Sequence, residues 1–274
     1  MSTATSSSAT ANTSFRSLVV PREHGSWSLA LEPVALGLLV APSLAGTFLA
    51  VAVVAGFFTR RPLKLAATLP PTEPRRAAAF RWTLLFAAIA LTALALSAFP
   101  GIGGNTPSAD WHALWPLLLA APFGAAFLWF DLRGEMREAE AELAGTAAFA
   151  LVPATFATLA GWSAAPALAL AALMLARSLP TVLTVRTYLR FAKNKPATAL
   201  PALASALVAF AIAITLAARA LAPITACALT GLLAARTAWM LSPFPPAWSA
   251  KRVGMTEAIV GLVYLAGLAL AYRA

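Results

Sequence analysis

The stretch from Val19 to Trp27 holds more reactive chemistry than a simple membrane entry needs. Pro21, Arg22, Glu23, His24, Gly25 and Trp27 crowd together where a polar tail meets the first long apolar run. His24 is the one side chain here that exchanges a proton near neutral pH, so with Glu23 it forms a candidate acid–base pair. Arg22 offers a cation to a phosphate, and Trp27 lies at the depth where indole rings are favoured at a bilayer surface. An interfacial collar uses the same residues without chemistry, with Arg22 on lipid phosphate and Glu23 in a local ion pair. No catalytic triad or HExxH pattern includes His24.

Three further groups have chemical content. Asp131, Glu135, Glu138 and Glu142 are spaced so that one continuous helix would carry all four on a single face. Such a stripe repels itself unless something positive faces it. Hydrated Mg²⁺ shared with phosphate oxygens is one such species; arginines from neighbouring loops are another, and Gly134 interrupts the helical pattern. Arg186 and Arg190 are one turn apart and suit bidentate recognition of phosphate or carboxylate. Arg60, Arg61 and Lys64 form a second basic group with the same affinity for anions. Finally, Glu32, Arg177, Arg236 and Glu257 stand inside apolar segments. A charge inside a bilayer costs at least ~2.5 kcal/mol on insertion scales, so it faces the bundle interior and finds a partner. These four are expected either to pair among themselves or to wall a polar pocket, two readings that overlap; snorkelling of Arg177 and Arg236 toward the interface is the alternative.

The elements that must position these groups follow from composition. Hydrophobic residues make up 60% of the chain and charged residues 11%, against roughly 45–50% and about 25% in soluble domains. Apolar segments fall at about 27–41, 44–59, 79–99, 112–130, 143–162, 165–183, 198–219, 221–241 and 255–273. They lack strand alternation, and lipid cannot satisfy open backbone groups, so they are expected to be helices. The expected fold is an all-α polytopic transmembrane bundle of about nine helices, residues 16–274, behind a disordered polar tail at 1–15. The first two segments are short for a bilayer that needs roughly 20 residues.

The loops divide by charge. Alternate connections are almost uncharged, while the others hold Arg60, Arg61, Lys64, Arg75 and Arg76, then 131–142, then Arg186 to Lys195, then Lys251 and Arg252. The positive-inside rule makes that second set cytoplasmic, with the N-terminus in and the C-terminus out. The net charge of +10 therefore marks the cytoplasmic leaflet and excludes nucleic acid as the partner. Cys227 is alone, so there is no disulfide framework and no cysteine metal site.

Pro21-Arg22-Glu23-His24-Gly25-Ser26-Trp27, followed by Pro33 and Gly37, resembles the signature that opens the YwiC-like family of bacterial integral membrane proteins. Ser26 stands where that pattern usually has alanine. The segments 60–65, 186–196 and 251–257 fall where the family has its other polar stretches. The resemblance implies a multi-pass protein of the bacterial inner membrane and supplies no reaction. More distantly, a nine-helix, N-in bundle resembles the UbiA prenyltransferase superfamily, and 130–145 is similar to its helix 4–5 connection. Those enzymes hold Mg²⁺ and a prenyl diphosphate on two aspartate-rich motifs. Here the first is replaced by Phe57-Phe58-Thr59-Arg60-Arg61 and the second by arginines.

The reading that unites these features is a charge-rich cytoplasmic cavity acting on or binding an amphipathic anion, a phosphate-bearing or prenyl lipid. His24 and Glu23 would handle the proton, and Arg22, Trp27, Arg60, Arg61, Lys64, Arg186 and Arg190 would bind. A transporter with the intramembrane charges as coupling groups is an alternative, as is a non-catalytic assembly protein.

Overall fold

A chain surrounded by lipid must satisfy its backbone within each segment, and every apolar run here does so as a helix. The computed structural model describes residues 14–20, 24–99, 110–136 and 138–273. A single turn, α1 (Phe15–Leu18), precedes α2 (His24–Val40), α3 (Leu44–Thr68), α4 (Pro74–Ser97) and α5 (Trp115–Arg133). Then come α6 (Ala139–Ala150), α7 (Val152–Leu159), α8 (Ala164–Phe191), α9 (Leu200–Ala218), α10 (Thr225–Met240) and α11 (Ala250–Ala271). No strand occurs among the described residues. The polar tail expected at 1–15 lies, up to residue 13, outside them; Phe15 itself is helical and packs edge-on against Trp82.

Among the described residues, seven segments are long and apolar enough to cross a bilayer: α3, α4, α8, α9, α11, the Trp111–Arg133 segment that contains α5, and α6 with α7 taken together. The two short helices are α2 and α10, with 17 and 16 residues, about 25 Å each at 1.5 Å per residue. The second segment is therefore not short, contrary to the expectation from its apolar run. α3 carries on through Arg60, Arg61 and Lys64 to Thr68, with Pro62 accommodated inside it. The first short segment, α2, is buried against α3, α6, α7 and α11.

Lipid tails are as apolar as leucine, so helices associate here by close packing and interhelical hydrogen bonds. The α2–α3 hairpin closes over the ring of Phe156 from α7, which is fully buried. A Cβ on Gly37 would lie 2.4 Å from that ring, and one on Gly46 would lie 3.0 Å from it. Both positions admit only glycine at this separation. α8 is the central helix and touches α6, α7, α9, α10 and α11. Its Leu170, Leu173 and Met174 pack into a core with Leu36 of α2, Ala157 of α7 and Leu268 of α11. The Tyr264 hydroxyl of α11 donates to the Leu173 carbonyl at 2.9 Å, and Thr184 of α8 shares a hydrogen bond with Thr237 of α10 at 3.0 Å.

Side-chain contacts sort the helix ends into two sets. Arg273, beyond α11, donates to the Leu39 carbonyl at the end of α2. Thr158 near the end of α7 donates to the Ala113 carbonyl ahead of α5. Asp110 caps that turn by accepting from the Ala113 N–H. The glycine-rich run at 101–105 lies outside the described residues. The opposite set of ends carries most of the charge.

Candidate functional site

The charged end is built from α3 outward. Arg60 and Lys64 are one turn apart, so they project to the same side. They meet Asp131, which belongs to the last turn of α5 and is 3% exposed. Arg60 Nε lies 2.5 Å from Oδ2 and Lys64 Nζ lies 3.1 Å from Oδ1. Each carboxylate oxygen thus takes one cation, and the three side chains carry a net charge of +1. The Arg60 guanidinium also stands 5.2 Å from the Phe127 ring centroid and 5.9 Å from that of Phe57, where a ring face favours a cation. Gly145 of α6 lets Phe127 approach, since a Cβ there would fall 2.7 Å from the ring.

The opening stretch joins this cluster at both of its flanks. Trp27 packs edge-on against Phe57 and Phe58, with ring centroids 5.4 and 5.6 Å away. Arg61 donates a hydrogen bond to the Val20 carbonyl. Pro21, Arg22 and Glu23 lie outside the described residues, as does the side chain of His24, the first residue of α2. Arg60, Arg61 and Lys64 were expected in a loop; they are on a helix because their charges are met by Asp131 and a backbone carbonyl.

The four carboxylates of 131–142 do not share a helix face, which corrects the stripe read from their spacing. Gly134 ends α5 in the left-handed conformation, φ +79°, and the chain turns before α6 begins. Asp131 faces Arg60 and Lys64, Glu135 and Glu138 are exposed in the turn, and Glu142 pairs with Arg186 at 3.1 Å. No group of three acidic, histidine or cysteine side chains among the described residues is arranged to hold a metal ion. Arg186 and Arg190 also part company. Arg190 folds onto the Pro196 carbonyl through Nε at 3.0 Å and Nη2 at 2.7 Å, because that carbonyl lies just past the end of α8.

A second charged cluster is inside the bundle, and it is the pairing expected of the four intramembrane charges. Glu32 is the middle residue of α2, and Arg177 is at the middle of α8. Arg177 Nη2 lies 3.4 Å from Glu32 Oε1 and donates to the Glu257 carbonyl at 3.0 Å. Its Nη1 donates to Thr181 Oγ1 at 2.5 Å and sits 4.0 Å from Glu257 Oε2. Glu257 in turn pairs with Arg236 of α10. The network therefore links α2, α8, α10 and α11, and its charges sum to zero.

Two members of that network escaped sequence reasoning. Thr181 is four residues after Arg177, on the same face, and a threonine at that spacing is the signal. Gly261 is one turn after Glu257; a Cβ there would lie 2.3 Å from Glu32 Oε1 and 2.8 Å from Arg177 Nη2. A glycine one turn beyond an intramembrane carboxylate marks the place where another side chain crosses the helix.

The chain was compared with known proteins. A family model described as YwiC-like protein matches residues 20–157, which is half of the chain and runs from the opening stretch through most of α7. No curated protein and no solved structure matches the chain. The matched half contains the Phe156 packing and the Arg60–Lys64–Asp131 cluster. The chain is a multi-pass membrane protein that belongs to the YwiC-like family.

Proposed function

We propose that the charged end is the cytoplasmic mouth of a binding site for an amphipathic anion, a phosphate-bearing or prenyl lipid, in the bacterial inner membrane. The observation that carries this reading is the sharing of Asp131 by Arg60 and Lys64. Arg60 and Lys64 converge on one carboxylate at the bundle boundary, and a guanidinium beside an ammonium is the donor set that complements a phosphate. Phe57, Phe127 and Trp27 surround the cations with apolar ring surface suited to the hydrocarbon part of an amphiphile. Lys64 keeps about a third of its side chain exposed, so it is accessible to a headgroup.

On this reading Arg22 and Arg61 supplement the cations. Glu23 and His24 take the proton-handling role by their residue type and their place between Val20 and Trp27. Arg186, paired with Glu142, and Arg190, folded onto the Pro196 carbonyl, are separate from the Asp131 cluster and would meet a headgroup only as a second group of cations.

The test is native mass spectrometry of the purified protein, searching without bias for a retained lipid or prenyl phosphate. A phosphate-bearing lipid or prenyl phosphate with net negative charge is expected on the wild type and reduced on Lys64→Glu, with His24→Ala still loaded. Finding only zwitterionic lipids, equally on wild type and variant, would overturn the proposal.

A further inference from the structure

The interior network is electrically balanced, and several of its buried polar atoms lack a hydrogen-bond partner among the described residues. We propose that Glu32, Arg177, Glu257 and Arg236 form a second site, which takes up a small singly charged oxyanion together with one proton. This goes beyond the reading above, since it uses different helices and none of Arg60, Lys64 or Asp131.

The argument begins with charge. Two carboxylates and two guanidiniums sum to zero in surroundings that are otherwise apolar. Adding an anion alone leaves one uncompensated negative charge there, and adding a proton alone leaves one uncompensated positive charge. Either is heavily disfavoured in a low-dielectric interior. Adding both restores neutrality, so each ligand promotes the binding of the other.

The network holds donors for the one and an acceptor for the other. The donors for the anion are Arg177 Nε, Arg236 Nε and Arg236 Nη1, all buried and without a hydrogen-bond acceptor among the described residues. Arg177 is only 2% exposed, so its guanidinium is shielded from bulk solvent. The proton goes to Glu32. Its contact among the described residues is Arg177 Nη2 at 3.4 Å, whereas Glu257 is held through Oε1 by Arg236 and keeps Oε2, which has no hydrogen-bond donor among them, 4.0 Å from Arg177. Uptake converts the Glu32 carboxylate to a neutral carboxyl and releases Arg177 to face the anion.

The groups facing Glu32 are few. α8 presents Arg177 and α11 presents Glu257, while Gly261 contributes backbone where a side chain would block the carboxylate. Of the other helices against α2, α7 contains no titratable residue. The charged residues of α3 and α6 cluster at their charged ends, where Arg60 and Lys64 meet Asp131, Arg61 meets the Val20 carbonyl and Glu142 meets Arg186.

The experiment is calorimetric titration of the full chain in lipid nanodiscs with nitrate and with acetate, both singly charged between pH 6 and 8. Titrations in two buffers of different ionisation enthalpy count the protons taken up. Wild type is expected to bind with uptake of about one proton per anion, its affinity falling about tenfold per pH unit as pH rises. Glu32→Gln, which mimics the protonated carboxyl, should keep anion binding and lose both the uptake and the pH slope. Arg236→Gln should lose the anion. Binding of neither probe to wild type, wild-type binding with no proton uptake, or an unchanged slope in Glu32→Gln would each overturn the proposal. The wild-type proton count decides the matter even where a variant fails to fold.

Discussion

Replacing Asp131 by Asn keeps the size of the side chain and removes its charge from between two cations. The Lys64 side chain is 32% exposed, so it turns to water and its share of the loss is less than about 1 kcal/mol. Arg60 is only 9% exposed and keeps its guanidinium in the bundle. Removing one partner of a buried ion pair costs about 3–5 kcal/mol. The Phe57 and Phe127 faces under Arg60 are unchanged by the substitution, and the asparagine amide oxygen still accepts a hydrogen bond, which places the net effect near the lower bound, about 3 kcal/mol. At 2–4 °C per kcal/mol for chains of this size, the midpoint of thermal unfolding should fall by roughly 6–12 °C. Tryptophan fluorescence in detergent reads this directly. The same principle says that replacing the whole pair by apolar residues is nearly neutral, so Arg60→Met with Asp131→Leu should recover most of the loss. An Asp131→Asn midpoint within about 1 °C of wild type, or a double variant less stable than Asp131→Asn alone, would refute the reasoning.

Other perturbations test the packing and the interior network. Gly37→Ala brings a Cβ to 2.4 Å from the Phe156 ring and should cost about 1–3 kcal/mol by overpacking; a melting midpoint measured together with Phe156→Leu should show the two changes partly compensating. Gly261→Ala should push Glu32 away from Arg177 and lower the midpoint by a similar amount, while leaving a Glu32→Gln background less affected. Tyr264→Phe removes the hydroxyl that donates to the Leu173 carbonyl and should cost about 1 kcal/mol, read in the same assay. Lys64→Ala, by contrast, should leave stability within about 1 kcal/mol of wild type.

The nine apolar segments were legible because lipid imposes length and apolarity on every crossing element. Their ends were less so. The run beginning at Leu44 looks finished at Thr59, since Arg60, Arg61, Pro62 and Lys64 read as a charged loop. It is extended by partners that lie elsewhere in the chain, Asp131 and the Val20 carbonyl, and spacing along one segment cannot reveal those. Gly134 gave the opposite lesson. The acidic spacing around it fits a helix face, but a glycine at the end of an apolar run supplies a left-handed cap at no steric cost. The pairing of Glu32, Arg177, Arg236 and Glu257 was readable from sign and depth alone. That Arg177 would bridge both acids, and that Gly261 would make room, needed the packing of α11 against α2 and α8.

The buried pairing of Glu32 has a consequence for how the chain is made. Arg177 follows it by 145 residues, and a ribosome adding 5–20 residues per second takes roughly 7–30 s to cover that distance. Throughout that interval α2 has left the ribosome carrying a carboxylate whose counter-charge does not yet exist. A bare acid at the centre of a lone helix resists entry into lipid by about 2.5–3.5 kcal/mol, and at 17 residues this helix has little apolar length to offset it. α2 is synthesised well before α8 yet settles only with it, waiting at the membrane surface or in the insertion machinery until α8 arrives. Order of synthesis and order of assembly diverge at the centre of this bundle.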